Sequence, residues 1–378
     1  MRSKSSVAVA AGASLALLLS ACGGNSASSG APASSSGAPA ASGTAAAGAT
    51  VGVILPDTKS SSRWESQDRP LLQKALTAAG LKPIIENAEG DTTKFSSIAD
   101  SMITQGAKVI LMANLSSQSG AAVQKKAAQA GVVTIDYDRL TLGGSAGYYV
   151  SFDNTKVGQL QGQGLVDCLG TKAGAQVIQI DGSPTDNNAT LFKNGALTVL
   201  QPKYDSGAYK LVGDQAIAEW DNQLGGKTFE QLLTANGGKV DGVLAANDGL
   251  AGAVITVLQK NGLNGKVPVT GQDATPAGLQ SILRGDQCMT VYKDVQKEAA
   301  AAADLAIALA KGDTAKATSI ATASSDDATG KRQVPSVLLT PQTITKANVK
   351  DVIAGGSVTK AQLCTADVAA LCTAAGIS

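Results

Sequence analysis

Histidine is absent from this 378-residue chain. That removes Ser-His-Asp and Cys-His catalysis and every histidine-ligated metal site. Charge of either sign is in short supply as an excess: 31 basic against 30 acidic residues leave a formal +1, so there is no electrostatic footprint for nucleic acid. Tryptophan occurs only twice, at Trp64 and Trp220. After the first twenty residues no run is long and apolar enough to span a bilayer.

What is present begins with a leader pattern. Arg2 and Lys4 precede an apolar run from Val7 to Leu19, followed by Leu19-Ser20-Ala21-Cys22-Gly23. A basic start, a short apolar stretch and small residues before a cut describe a secretory signal peptide over residues 1–21. The Leu-Ser-Ala-Cys tetrad resembles a bacterial lipobox, which implies cleavage before Cys22 and a diacylglycerol anchor on it; the plainer alternative is an ordinary signal peptide beside an incidental cysteine. Loss of residues 1–21 takes Arg2 and Lys4 and shifts the formal charge from +1 to −1. Residues 22–48 then read as a flexible tether: Gly, Ala, Ser and Pro offer nothing to bury against the entropy of ordering.

Four cysteines remain after Cys22: Cys168, Cys288, Cys364 and Cys372. An even count in an exported protein suits two disulfides. Cys364 and Cys372 are close in sequence and should pair, which leaves Cys168 with Cys288 by elimination. A four-thiolate zinc site would need closely spaced pairs that this chain lacks, and unpaired buried thiols are the other alternative.

The body, about 330 residues, allows two domains. Short β-branched runs (Val51–Leu55, Pro83–Asn87, Val109–Met112, Val132–Asp136, Gln176–Ile180, Gly242–Ala245, Val267–Thr270) alternate with amphipathic stretches such as Pro70–Ala79, Phe95–Gln105, Ala121–Ala130, Val157–Leu169, Gln223–Thr234 and Leu250–Lys260. Several of these end in glycine, as helix C-termini do. The alternation predicts βαβ units around parallel sheets. A Gly-rich loop after Arg139 and the run Tyr148–Asn154 mark a crossover from a first lobe to a second.

Ligands of open α/β sheets bind beyond the carboxyl ends of the strands. Following those ends come Asp57 and Arg63-Trp64, Asp138-Arg139, Ser183 to Asn188, Trp220, Asn247-Asp248, Gln272-Asp273 and Tyr292-Lys293. Any single Asp or Asn there is more often a helix cap. The set as a whole combines paired donors and acceptors with both tryptophans, each between charged neighbours rather than in an apolar stripe. That chemistry suits a pyranose, whose C–H faces lie on indole rings and whose hydroxyls donate and accept around the rim. Two other motifs carry nothing. Gly225-Gly226-Lys227-Thr228 lacks the first glycine of a phosphate loop, which would fall at Asp221, and Asn188-Ala189-Thr190 is a sequon by pattern only.

Arg63-Trp64 with Asp68-Arg69, Asp136 to Arg139, Ser151 to Asn154, Gly182 to Ala189, Ala246 to Asp248, Gly271 to Ala274 and Thr290 to Lys293 together resemble the bacterial xylose-binding proteins of ABC importers, in order and spacing from about residue 50 to 350. The resemblance implies a type I periplasmic-binding fold: α/β, two doubly wound parallel-sheet lobes joined by three hinge strands. The lobes are expected at 49–153 plus 294–338 and at 154–293 plus 339–378. It also implies that Trp64 and Trp220 sandwich a sugar and that Arg63, Asp138, Arg139, Asp186, Asn188, Asn247, Asp273 and Lys293 bond its hydroxyls, with Asp57 and Gln272 as further candidates. No catalytic residue, metal or cofactor is implied. The expected partners are a monosaccharide (xylose, or glucose, arabinose or ribose), an ABC permease and the membrane through the lipid, for a monomer outside the cytoplasm. The chain departs from the resemblance at Thr58 to Ser62 and in the segment bearing Cys364 and Cys372. A sugar sensor presenting its ligand to a membrane receptor would use the same fold. A carboxylate-pair glycosidase would need a proton donor, whereas Arg or Lys beside Asp138 and Asp273 should keep both ionised. A related repressor would need a DNA-reading helix pair before the first lobe.

Overall fold

Strand and helix alternate along the chain as the hydrophobic periods dictate. The computed structural model describes residues 48–377, so the leader, Cys22 and most of the tether lie outside the described residues. The strands are β1 (Thr50–Leu55), β2 (Lys82–Asn87), β3 (Ala107–Met112), β4 (Val133–Tyr137), β5 (Tyr148–Phe152), β6 (Ala175–Asp181), β7 (Tyr209–Ala216), β8 (Gly242–Ala245), β9 (Thr290–Tyr292), β10 (Ala323–Asp327), β11 (Arg332–Leu339) and β12 (Gln342–Ile344). The helices are α1 (Arg69–Ala78), α2 (Thr92–Thr104), α3 (Ser117–Gln129), α4 (Asn154–Leu169), α5 (Asn187–Asp205), α6 (Asn222–Ala235), α7 (Asp248–Lys260), α8 (Pro276–Arg284), α9 (Val295–Ala310), α10 (Thr314–Ile320), α11 (Lys350–Ala354), α12 (Lys360–Leu363) and α13 (Ala369–Ala374). Each predicted helix is present within a few residues of its expected ends, and none of those described is long and apolar enough to cross a membrane.

Two sheets result. The first runs β10-β11-β5-β4-β3-β1-β2 and the second β7-β6-β8, with β9 and β12 paired beside it. From β2 to β11 every neighbour in the first sheet is parallel, and so are β6–β7 and β6–β8. Both larger sheets are wound outward from an inner strand, β1 or β6, with the second strand on one side and the third on the other. Each therefore has a switch point where crevices open at the strand carboxyl ends. The chain passes between the two halves at 152–154, 293–295 and 339–342, because α9 returns to the core of the first sheet and β12 leaves it again. This is a two-lobed α/β fold of the type I periplasmic-binding class.

Val267–Thr270 differs from expectation. It lies beside β8 through Val243 N to Pro268 O at 2.9 Å and Thr270 N to Val243 O at 3.0 Å, but contributes one bridge and no ladder. Pro268 has no N–H to give a strand partner.

In the second lobe α4 and α5 cross closely because Gly158 and Gly195 have no side chain; a methyl on either would strike the partner helix's backbone at Phe192 or Thr155. That contact fixes the N-terminus of α5, where several site residues sit. Beyond β12, the segment to Ile377 folds against α8 around Tyr292, Val352, Leu363 and Cys372. The cysteines pair as Cys168–Cys288, joining the end of α4 to the approach to β9, and as Cys364–Cys372 within the terminal segment. The glycine-lysine motif at 225–228 lies inside α6, not in a phosphate loop.

Candidate functional site

The first wall of the cleft starts after β1. Asp57 accepts from the Lys59 and Ser60 amides at 2.8 and 2.6 Å and from the Ser60 hydroxyl at 2.9 Å, which ties off the turn after Leu55. Ser60 then takes the Trp64 indole N–H at 3.1 Å. The chain enters α1 through a wide, π-type turn over Trp64–Asp68, a geometry common at functional sites; Pro70, without an N–H, follows at the start of the regular helix. Arg63 lies over the Trp64 ring, 4.5 Å from guanidinium carbon to ring centre, and Arg139 lies 5.6 Å from it, both within cation–π range.

Arg63 is heavily partnered. Its Nε and Nη2 both reach Asp68 at 2.9 Å, Nη2 also reaches Glu298 at 2.6 Å, and Nη1 reaches Asp138 at 3.0 Å. Asp68 is fixed in turn by the Tyr137 hydroxyl. Burial raises the Asp138 pKa, but Arg63, Lys293 and Arg139 outweigh it and hold the carboxyl below its ordinary range. The same balance tips the other way at Glu298, where burial, with Asp138 and Asp68 nearby, pushes the carboxyl up to about 8 despite Arg63.

The second wall comes from the loops after β6, β7, β8 and the 267–270 segment. Asp186 caps α5 with one oxygen, accepting from Asn188 N at 2.9 Å; its other oxygen accepts from the Trp220 indole at 3.2 Å and stands 3.2 Å from Arg139 Nε. Asn247 caps α7 through Leu250 N at 2.8 Å while its amide reaches Ser60 O at 3.4 Å across the cleft. Asn188 donates to Asp138 O at 2.8 Å. Lys293 pairs with Asp273 at 3.1 Å and lies 5.6 Å from the centre of the Phe192 ring. Capping and cleft-facing roles thus coexist at Asp186 and Asn247. Asp138 and Asp273 cap nothing. They sit at positive φ, 63° and 93°, as does Trp220 at 56°, a conformation costing of order 1–3 kcal/mol per residue and concentrated at functional sites.

All ten residues expected to meet ligand line a single cavity: Arg63, Trp64, Asp138, Arg139, Asp186, Asn188, Trp220, Asn247, Asp273 and Lys293. Nine are buried and Asp273 is partly buried. Gln272 joins them, with Ser60, Ser61 and Phe192, which the sequence did not single out. Asp57 stands behind the wall, 3.9 Å from Arg139. The cavity enclosed between the walls is small, about 30 Å³, and larger clefts that share Arg63, Asp273 and Lys293 on one side and Arg139, Asp186 and Trp220 on the other adjoin it. Among the described residues, Arg139 Nε, Gln272 Oε1 and Asp273 Oδ1 are buried there without a hydrogen-bond partner, although the first and last stand in ion pairs. Buried polar atoms are rarely left so, and this trio offers one donor and two acceptors to a polar guest.

Glu298 and Asp68 complete the site from behind. Asp68 stood in a recognised motif without a role, and Glu298, between Lys297 and a run of alanines, carried no local signal.

The chain matches the model of the periplasmic binding protein domain over residues 51–314. It is 38% identical over 303 residues to the D-xylose-binding periplasmic protein of Escherichia coli, covering 80% of this chain and 88% of that one. It is 37% identical over 330 residues to the multiple sugar-binding periplasmic receptor ChvE of Rhizobium radiobacter, covering 82% and 91%. Among solved structures, an ABC transporter solute binding protein from Clostridium phytofermentans with bound β-D-glucose superposes with a TM-score of 0.76 at 29% identity, over 83% of this chain and 99% of that one.

Proposed function

Given that the chain belongs to the periplasmic binding protein family, among the sugar-binding proteins of ABC importers of the xylose-binding type, we propose that it captures a free aldopentose, D-xylose first, and delivers it to an importer without chemical conversion. The observation that carries this reading is the chemistry of the cavity wall: one indole from each lobe, three cations, and carboxylates and amides aimed between them. Trp64 and Trp220 take the C–H faces of the ring, and the other eight residues take its hydroxyls. Relatives named for xylose and for several sugars, and a similar structure holding glucose, support a monosaccharide. Xylose differs from glucose by one hydroxymethyl group, so the choice between them turns on how far the walls reclose.

The lobes, bounded at 49–153 plus 294–338 and at 154–293 plus 339–378, act as two rigid halves. Ligand that touches both favours the closed arrangement, a population shift driven by contacts that only closure completes. The proposal extends to placement: export, lipidation at Cys22 and a tether that holds a monomeric body near the outer face of the membrane. An N-terminal peptide of the exported protein without lipid mass would end that part alone.

Calorimetry on the body from about residue 48, against a panel of pentoses and hexoses, is the direct test. Xylose should bind tightest, and X-ray scattering should show a smaller radius of gyration with it. Heat with a peptide or amino acid and none with any monosaccharide would overturn the reading.

A further inference from the structure

The group that holds Arg63 from the interior of the fold has no counterpart in the ligand set. Glu298 lies in the first turn of α9, five residues beyond Lys293 and so just past one of the three crossings between lobes. It is completely buried. Its Oε2 accepts from Arg63 at 2.6 Å, and its Oε1 has no partner among the described residues. Three carboxylates, Asp68, Asp138 and Glu298, converge on that one guanidinium.

The other groups facing Glu298 do not restore the balance. From the turn before α1 come Arg63 and Asp68; from the end of β4, Tyr137 and Asp138; from β5, the Tyr149 hydroxyl; from the crossing after β9, Lys293, which is paired with Asp273. On its own helix, Lys297 and Asp294 pair with each other at 3.3 Å, Lys297 turned to solvent. Across the whole site three cations, Arg63, Arg139 and Lys293, face Asp68, Asp138, Asp186, Asp273 and Glu298. An excess of buried carboxylates is relieved by protonating one of them, and the one with the fewest compensating hydrogen bonds yields first. Asp186 accepts from Asn188 N and Trp220, and Asp273, only partly buried, has Lys293 to itself; of the three that share Arg63, Asp68 accepts from it twice and from Tyr137, Asp138 has Arg63 and Asn188, and Glu298 has Arg63 alone.

We propose that Glu298 is a positioning residue for sugar capture, fixing the Arg63 fork from behind, and that it takes up a proton when the cleft closes and releases it when the cleft opens. This rests on the sugar-binding reading of the same site. Opening admits water to Arg63 and Asp138 and lowers the cost of a charge on Glu298; closure restores that cost. By linkage, sugar affinity falls as pH rises through the upper end of the Glu298 titration.

The test uses the body from about residue 48 as wild type, Glu298→Ala and Glu298→Gln. Loss of a buried hydrogen bond to a charged group should weaken xylose binding about 10–100-fold in Glu298→Ala, with Glu298→Gln, which keeps an acceptor, recovering most of it. Near pH 8, xylose binding to wild type should show heats that change with the ionisation enthalpy of the buffer, reporting proton uptake; Glu298→Gln should show none. Without sugar, Trp64 reports the same event because Arg63 stacks on it: wild-type emission should titrate between about pH 5 and 9 and the Glu298→Gln curve should lack that step. Identical emission titrations in the two proteins overturn the inference whether or not any sugar binds, and so does equal buffer dependence. Absence of sugar binding with the emission difference intact would overturn the functional reading instead.

Discussion

A single residue decides how Trp220 meets the cleft. Trp220 is a bulky side chain at positive φ at the end of a short turn, and it is buried against Phe192, ring centres 6.4 Å apart and nearly edge to face. Gly182 makes room for it: a methyl there would overlap the far edge of the indole. Gly182→Ala should therefore push the ring off its place while leaving β6 intact. Its cost in sugar affinity should approach that of Trp220→Ala, roughly 1–3 kcal/mol, the scale of a large buried aromatic contact. Trp64→Ala should cost a similar amount. Calorimetry on the three variants, with circular dichroism to confirm folding, checks this; wild-type affinity in Gly182→Ala would show that the indole does not bear on the ligand. At this scale the sequence was informative where a residue type is itself unusual, such as a tryptophan between charges. It was silent on Glu298, because nothing local distinguishes a buried glutamate from a solvated one in a helix.

At the scale of elements, the two disulfides brace different things. Cys168–Cys288 closes a loop of 120 residues and joins α4 to the strand approaching the crossing at Lys293; Cys364–Cys372 closes only 8 and staples the terminal segment that covers α8. Loop-closure entropy alone makes the first worth about 5 kcal/mol and the second about 2.5 kcal/mol. The Cys168→Ser/Cys288→Ser pair should therefore lower the unfolding midpoint more than Cys364→Ser/Cys372→Ser, read by thermal melts of each double variant. Neither pair touches the cavity wall, so sugar affinity in the folded protein should change little. The helices were legible because their apolar stripes and caps are local. β10 and β11 were not, since Ala323–Asp327 is almost wholly polar and becomes a strand only by pairing with β11, which in turn pairs with β5 from far along the chain.

The whole molecule carries an excess of buried acids, and its stability should follow them. Burial raises Asp136 and Asp248 to about 7, Asp181 to about 6 and Glu298 to about 8. Each is raised above its unfolded value of roughly 4, so the stabilisation is complete below that value and is lost as pH climbs through 6 to 8. In the opposite sense, Glu65, Asp91, Asp138, Asp241, Asp327 and Asp367 are held down by their partners and lose stability as pH falls below about 4. Urea unfolding should accordingly show a higher midpoint at pH 5.5 than at pH 8.5. A midpoint that rises with pH would contradict this assignment of the buried acids.

The sequence by itself determined the class of the fold and ten of the residues that line the cleft, though not Ser60, Ser61 or Phe192. Strand and helix periods are local, and in a doubly wound sheet the loops after the strands converge by topology alone, so polar residues at Asp138, Asp186, Asn247 and Asp273 had one place to go. Only the tertiary structure decided which of them also cap helices, that Val267–Thr270 lies beside β8 without a ladder, and that Glu298 and Asp68 grip Arg63 from behind. Those facts depend on contacts between segments as far apart as Arg63 and Glu298, separated by 235 residues. The physical reason is that such contacts are set by how two lobes pack and desolvate a common interior, which no stretch of neighbouring residues encodes.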